Sequence, residues 1–286
     1  MPTRRSPFSR RVPLPDRSVV ITGAASGIGA ATAARLRAAG WNVIGVDKDK
    51  ADIVSDLATP GGRQEAVALA TEQSGGKLAG VVTCAGLAGT PDRAGSLLAS
   101  VNYFGTVDVL EGLRPLLGAG GAAVAISSNS TTVQPAIPAD LVDACLSHDE
   151  ERSGQIADAH GSLVTYPASK LAVAHWVRRQ ATGPDWAGAG LRLNAIAPGM
   201  IDTPMIAGMR ADPEAGPLLD MLPIPVGRPG RPEEIAALVD LLLGPDGAFF
   251  CGSVVFCDGG SDALLRTDDW PAAWDISVRN LGQQLS

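Results

Sequence analysis

From residue 18 to about residue 260 the chain alternates short, almost wholly apolar runs with longer stretches of mixed polarity. The runs SVVIT (18–22), NVIGV (42–46), LAGVVT (78–83), AAVAI (122–126), the stretch 191–197 and SVVFC (253–257) lack the polar alternation of a half-exposed strand. They predict strands covered on both faces, with a further short one at 52–55. Between them, helices are predicted over 27–39, 64–73, a long region carrying 101–105 and running toward Leu117, about 167–180, and in pieces between 203 and 243. Gly40 stops the first, with Leu36 turned toward the sheet. Strands and helices in regular succession imply parallel strands joined by right-handed crossovers. The expected fold class is therefore α/β: a single-domain, Rossmann-type, doubly wound sheet of about seven strands with helices on both faces.

Composition narrows this. Apolar residues make up 45% of the chain and aromatic ones only 4%, so a core between two helical layers is affordable and Ala and Gly do much of its packing. A net charge of −7 argues against a nucleic-acid surface. The basic cluster Arg4, Arg5, Arg10, Arg11 and Arg17 lies in a Pro- and Ser-containing segment without the apolar centre of a secretory signal, so residues 1–17 read as a disordered extension. No apolar run is long enough to predict a membrane span. Cys84, Cys145, Cys251 and Cys257 show no metal-ligand spacing and suit a reducing, cytoplasmic setting. His148, His160 and His175 form no metal set, and His148 with Asp149 and Glu150 reads as a solvated face.

Candidate chemistry begins after the first strand, at Thr22-Gly23-Ala24-Ala25-Ser26-Gly27-Ile28-Gly29. A Gly-rich turn between strand and helix directs backbone N–H groups and the positive helix end at a diphosphate. Gly23 permits the turn, and Gly27 and Gly29 allow close approach without a Cβ. Alone this is a plain βα turn as readily as a cofactor site. The acid that ends the next strand, Asp47, tips the balance, because a carboxylate there accepts from ribose hydroxyls of NAD and repels a 2′-phosphate. NAD is expected over NADP, with Lys48 softening the contrast and Ser26 supplying no second cation.

Far downstream stands Tyr166-Pro167-Ala168-Ser169-Lys170, in which Tyr166 and Lys170 share a helix face so that an ammonium can stand near a phenol. A free tyrosine, with a pKa of about 10, is too weakly acidic to serve as a base near neutrality, and a neighbouring cation stabilises its phenolate. Ser127 and Ser128 end the fifth strand, where a doubly wound sheet presents side chains to its ligand crevice.

Glycine turn, Asn102, Ser127-Ser128 and the Tyr166/Lys170 pair, in this order, resemble the short-chain dehydrogenase/reductase family over roughly residues 18–266. The resemblance implies that Tyr166 is the general base for alcohol oxidation and the general acid for carbonyl reduction. By the same resemblance Lys170 also holds the nicotinamide ribose, Ser128 stabilises the substrate oxygen with Ser127 in reserve, and Asn102 holds a water linked to the lysine. Asp56-Leu57 resembles the family's adenine-contacting pair. Thr83-Cys84-Ala85-Gly86 stands where the family has Asn-Asn-Ala-Gly, so Ala85 and Gly86 keep the backbone role beside the cofactor while both asparagine side chains are lost. Pro198, Gly199, Ile201 and Thr203 resemble the segment that wraps the nicotinamide, the Ile201 backbone and Thr203 hydroxyl binding its carboxamide. Asp258-Gly259-Gly260 reads as structural.

Cys84-Ala-Gly-Leu87, Val101-Asn-Tyr-Phe-Gly105, Gly190-Leu-Arg-Leu-Asn194 and Asp258-Gly-Gly-Ser-Asp-Ala263 are similar to the bacterial 3α-hydroxysteroid dehydrogenase/carbonyl reductase subgroup, as is the long interval between Ser128 and Tyr166. This implies a small apolar alcohol or ketone as substrate, such as a hydroxysteroid or a cyclic terpenoid alcohol. A generic carbonyl reductase, a non-catalytic NAD-binding regulator and an extended-family epimerase or dehydratase are the competing readings. Residues 131–161 are expected to form a partly helical flap beside the substrate cleft. Family members often associate through helices flanking this point, so of the homo-oligomers, dimer or tetramer, the insertion is expected to block the usual tetramer and leave a dimer. The extension 267–286, with Trp270, Trp274, Ile276 and Leu281, is expected to pack over the cleft or a neighbouring subunit.

Overall fold

The computed structural model describes residues 17–272. Its elements run β1 (Ser18–Thr22), α1 (Gly27–Ala38), β2 (Asn42–Asp47), β3 (Ile53–Val54), α2 (Pro60–Gln73), β4 (Leu78–Thr83), α3 (Gly95–Ala99), a π turn (Ser100–Phe104), α4 (Gly105–Leu113) and β5 (Leu117–Ile126). There follow α5 (Ser130–Val133), α6 (Ala139–Leu146), α7 (Glu150–His160), α8 (Ser162–Ala181), β6 (Arg192–Pro198), α9 (Pro204–Ala211), α10 (Ala215–Asp220), α11 (Pro232–Leu243), β7 (Val254–Cys257) and α12 (Ser261–Leu265).

The strands form one seven-stranded parallel sheet in the order β3-β2-β1-β4-β5-β6-β7, the Rossmann-type arrangement expected. Successive residues of β1 face opposite sides. Val19 and Ile21 pack with Leu36 of α1 and Val239 and Leu242 of α11, whereas Val20 packs with Leu110 of α4 and Val173 and Val177 of α8. Because the chain leaves β1 for β2 and β3 and then returns to β4, its connections diverge between β1 and β4, opening a crevice at their C-terminal ends.

Several boundaries differ from the sequence reading, each for a local reason. α2 starts at Pro60 because Thr59 caps it, accepting from Gly62 N at 3.0 Å, and Pro fits the first helical position. β5 starts at Leu117, which pairs with Leu78 before a register shift, so the glycine run 118–121 belongs to the strand. The long central helix is broken by the π turn and ends at Leu113. α8 starts at Ser162 and carries Pro167 inside it, near enough to the N-terminus to forfeit a single backbone bond.

The stretch 131–161 is helical but is no flap. Leu141, Val142, Ala144 and Cys145 are buried on α6, which packs against α8. α7 lies on α3 so closely that a Cβ on Gly95 would stand 2.1 Å from the Ala157 carbonyl oxygen. Of the solvated face expected at His148–Glu150, His148 and Asp149 are exposed, His148 standing 3.2 Å from Asp108 with its ring edge on Phe104, but Glu150 meets the buried guanidinium of Arg63. Apolar spacing on α6 and acids with a distant buried cation account for both corrections.

No helix among the described residues is long and apolar enough to cross a membrane. Arg17 stacks over Trp41, its guanidinium carbon 5.4 Å from the ring centroid. Arg4, Arg5, Arg10 and Arg11 lie outside the described residues, as do Trp274, Ile276 and Leu281, while Trp270 is exposed.

Candidate active site

The β1–α1 turn is built around glycines that admit no substituent. Gly23 has φ +68°, and a Cβ there would stand 2.7 Å from Ala85 N; one on Gly29 would stand 2.0 Å from the Gly23 carbonyl oxygen. Ser26 begins α1 in an extended conformation, its side chain making no capping bond. The first intrahelical bond runs from Ala30 N to Ser26 O, so the amides of Gly27, Ile28 and Gly29 face the crevice without an acceptor among the described residues. With no acidic side chain in that first turn, these amides could hold an anion.

Asp47 ends β2 and is fixed from both oxygens, Oδ2 accepting from Ala25 N at 3.0 Å and Oδ1 from Lys48 N at 2.8 Å. The acid is thereby tied to the glycine turn. One connection further, Asp56 is exposed and accepts from Ala58 N, while Leu57 is buried beside Gly105. Across the crevice Ala85 N donates to Thr22 Oγ1 at 3.1 Å. That bond anchors the turn after β4 although neither asparagine of the family pattern is present. A Cβ on Gly86 would lie 3.2 Å from Asn102 Oδ1 and 3.3 Å from Lys170 Nζ, so Gly86 marks where those two residues converge.

Asn102 sits in the π turn, a distortion that frequently accompanies functional sites. Its Oδ1 accepts from Leu87 N at 2.8 Å and its Nδ2 donates to Leu87 O at 3.0 Å and Ser169 Oγ at 3.4 Å. The amide is thus spent on clamping the loop after β4.

The two serines diverge. Ser127 Oγ donates to Lys170 O at 2.8 Å, latching β5 to α8, whereas Ser128 Oγ accepts from Ser130 N at 3.1 Å and is placed to hydrogen-bond the Tyr166 phenol. Burial pushes the Tyr166 phenol up, and the Ser128 hydrogen bond opposes that rise. Tyr166 and Lys170, one turn apart on α8, line the same cleft. Lys170 Nζ donates to Ile126 O at 2.9 Å, and burial pulls its pKa down to about 8, Cys84 opposing. Cys84 packs against the core and also lines the cleft near Lys170, and burial pushes its thiol up to about 12 against the pull of that cation.

The far wall comes from β6. Pro198 closes that strand, and Gly199 passes so near β7 that a Cβ would stand 2.7 Å from Asp258 Cα. Gly230 bonds Met200 O and Asp202 N, so the intervening Ile201 turns its own N–H and C=O the other way. Thr203 caps α9 and its methyl faces Gly27. Ile28, Met205 and Ile206 add an apolar lining, the last two unanticipated because nothing in their spacing separates a cleft wall from a core face. Asp258 accepts from Gly260 N and Asp262 N, in keeping with a structural role.

Residues 17–138 match the sequence family described as short chain dehydrogenase, and residues 153–262 the related family described as enoyl-(acyl carrier protein) reductase. The 3-alpha-hydroxysteroid dehydrogenase/carbonyl reductase of Comamonas testosteroni is 35% identical over 253 residues, covering 87% of this chain and 97% of that protein. The cis-4-hydroxycyclohexanecarboxylate dehydrogenase of Sinomonas cyclohexanicum is 31% identical over 271 residues, covering 87% and 98%. Among solved structures, the 3-alpha-hydroxysteroid dehydrogenase from Pseudomonas sp. B-0831 complexed with NADH superposes with a TM-score of 0.85 at 43% identity, covering 88% of this chain and all of that one. With the glycine cradle and the Ser128, Tyr166 and Lys170 cluster facing one crevice, these matches identify the chain as an oxidoreductase of hydroxysteroid dehydrogenase/carbonyl reductase type, a member of the short-chain dehydrogenase/reductase family.

Proposed function

We propose that the protein interconverts a secondary alcohol and a ketone with NAD, on an apolar cyclic substrate such as a hydroxysteroid or terpenoid alcohol. The observation that carries this reading is the convergence of Ser128, Tyr166 and Lys170 on one cleft lined also by Gly86 and apolar Ile28, Met205 and Ile206. The two relatives named for a hydroxysteroid and a hydroxycyclohexane carboxylate support a cyclic alcohol. The residues present fit a dinucleotide: Gly23, Ser26, Gly27, Ile28 and Gly29 would hold its diphosphate, Asp47 its ribose, Asp56 and Leu57 its adenine. Ala85 and Gly86 would flank the nicotinamide, with Pro198, Gly199, Ile201 and Thr203 around its carboxamide. Bound nicotinamide supplies the hydride acceptor or donor. Tyr166 Oη takes the alcohol proton in oxidation and returns it in reduction, and Ser128 Oγ donates to the substrate oxygen as charge develops there. Lys170, adjoining Gly86 and Asn102, holds positive charge beside the ribose.

A panel of secondary alcohols and ketones, followed by NADH absorbance, tests the reading. Turnover of bulky cyclic substrates above small ketones is expected; binding of NADH without any turnover would favour a regulator, and equal turnover of small ketones a generic carbonyl reductase.

Preference for NAD follows from Asp47, whose carboxylate is already fixed by two amides and would meet a 2′-phosphate as a like charge. The expected discrimination is about 2–4 kcal/mol, roughly thirtyfold or more in kcat/KM, and Asp47→Ala should narrow it. Equal kcat/KM for the two cofactors would overturn the assignment.

The same fold supports self-association as a dimer. α6 covers α8 and α7 covers α3, occupying within one chain the helices that flank the insertion. The β7 edge remains open among the described residues, its side chains half-buried and Phe249 nearby wholly exposed. Sedimentation is expected to show a dimer, and a tetramer would refute it.

A further inference from the structure

Arg63 takes no part in the chemistry above, yet its guanidinium joins four segments of the fold at one buried point. Its side chain is 2% exposed. Nε donates to Asp108 Oδ2 of α4 at 2.6 Å, Nη1 to Glu150 Oε1 of α7 at 3.1 Å and to the Leu57 carbonyl at 3.2 Å, and Nη2 to the second Glu150 oxygen. Phe104 of the π turn lies under the guanidinium. Leu57 is therefore held from two sides, its carbonyl by Arg63 and its Cβ against Gly105, where an added Cβ would stand 3.3 Å away. It also follows directly from Asp47 through the sheet, since Ser55 N donates to Asp47 O at 3.0 Å.

We propose that Arg63, set by Glu150 and Asp108, is a positioning residue for the adenosine end of the cofactor, so that helix α7 of the insertion braces the nucleotide wall at Leu57 without touching the nucleotide. This rests on the reading that the adenosine of NAD lies against Asp47 and Leu57. A buried guanidinium keeps its donors filled, because an unmet charge away from water is costly. When the carboxylate of Glu150 is neutralised, Arg63 redistributes toward the charged acceptor it retains, Asp108. The neutral Leu57 carbonyl, at the longest of the four distances, is the contact that yields. Coupling of this kind is reciprocal: whatever fixes Leu57 also fixes the start of α7.

The full chain carrying Glu150→Gln, which keeps the shape and one acceptor, is expected to bind AMP about threefold to tenfold more weakly and to raise KM for NAD by a similar factor, with kcat at saturating NAD within about twofold. Glu150→Asp, which keeps the charge, should recover part of the loss. A folded Glu150→Gln protein with wild-type affinity for AMP would show the cluster to be purely structural and overturn the proposal. Should the variant fail to fold, hydrogen exchange on the unaltered chain decides: saturating AMP should slow exchange in 150–153 as well as in 55–59, and protection of 55–59 alone would overturn it. Wild-type protein that binds neither AMP nor NADH would instead overturn the nucleotide reading, and this proposal with it.

Discussion

Replacing Tyr166 by Phe is expected to lower kcat by about 10²–10⁴-fold in both directions, the range that a positioned proton donor and acceptor contributes. The ring and its packing remain, so NADH affinity, read by fluorescence titration, should stay within about twofold of wild type. Loss of kcat without loss of binding is the signature of an interaction made in the transition state. Wild-type kcat in the Phe variant on a substrate that the native chain turns over would end the acid/base assignment. Burial alone raises the phenol, so the proton-donating form prevails at neutral pH. Reduction should consequently proceed without alkali, and oxidation should accelerate as pH rises through the Tyr166 titration.

Ser128→Ala should cost about 10²–10³-fold in kcat, comparable with removal of one donor to a developing oxyanion. It should also move the ascending limb of the oxidation profile. The Ser128 hydrogen bond opposes the burial-driven rise of the phenol, so its removal raises the Tyr166 pKa and shifts that limb to higher pH. Ser127→Ala provides the contrast, since its hydroxyl is bonded to Lys170 O and not to the phenol. About 1 kcal/mol of stability should be lost there, with the limb left in place. If instead Ser127→Ala moved the limb and Ser128→Ala did not, the two serines would exchange roles.

The fold was legible because β1 and β4 are almost wholly apolar and lack polar alternation, as central parallel strands do. Their limits in the structure coincide with those read from the sequence. β5 was shortened because Gly118-Ala-Gly-Gly121 reads locally as a turn, and only its neighbour Leu78 reveals it as strand. Thr59-Pro60 carried the start of α2 in plain view, a capping hydroxyl before a proline at the first helical position. The site was legible wherever chemistry is local, as in the glycine turn or the Tyr166/Lys170 spacing. What the spacing could not convey is that Lys170 spends its ammonium on Ile126 O while Ser128 addresses the phenol, because those partners are fixed by the approach of β5 to α8. Arg63, Asp108 and Glu150 escaped for the same reason. Each looks like an ordinary surface charge in sequence, and only the insertion folding back onto α3 brings them together.

The bridge between Ile201 and Gly230 decides where along this loop a ligand must impose order. One edge of residues 200–202 is already pinned by backbone bonds, so the free N–H and C=O of Ile201 are held in place before anything binds and little ordering entropy remains to be lost there. Immediately beyond, α9 has no buried side chain, and its cap at Thr203 is a single 3.4 Å bond. Rigidity thus changes abruptly within a few residues of one loop. A ligand engaging residues 199–203 meets a finished surface, whereas one that must seat Met205 and Ile206 has to organise them. The ordering that binding must impose thus falls on a ligand seated against 204–211 and hardly at all on one seated against 199–203.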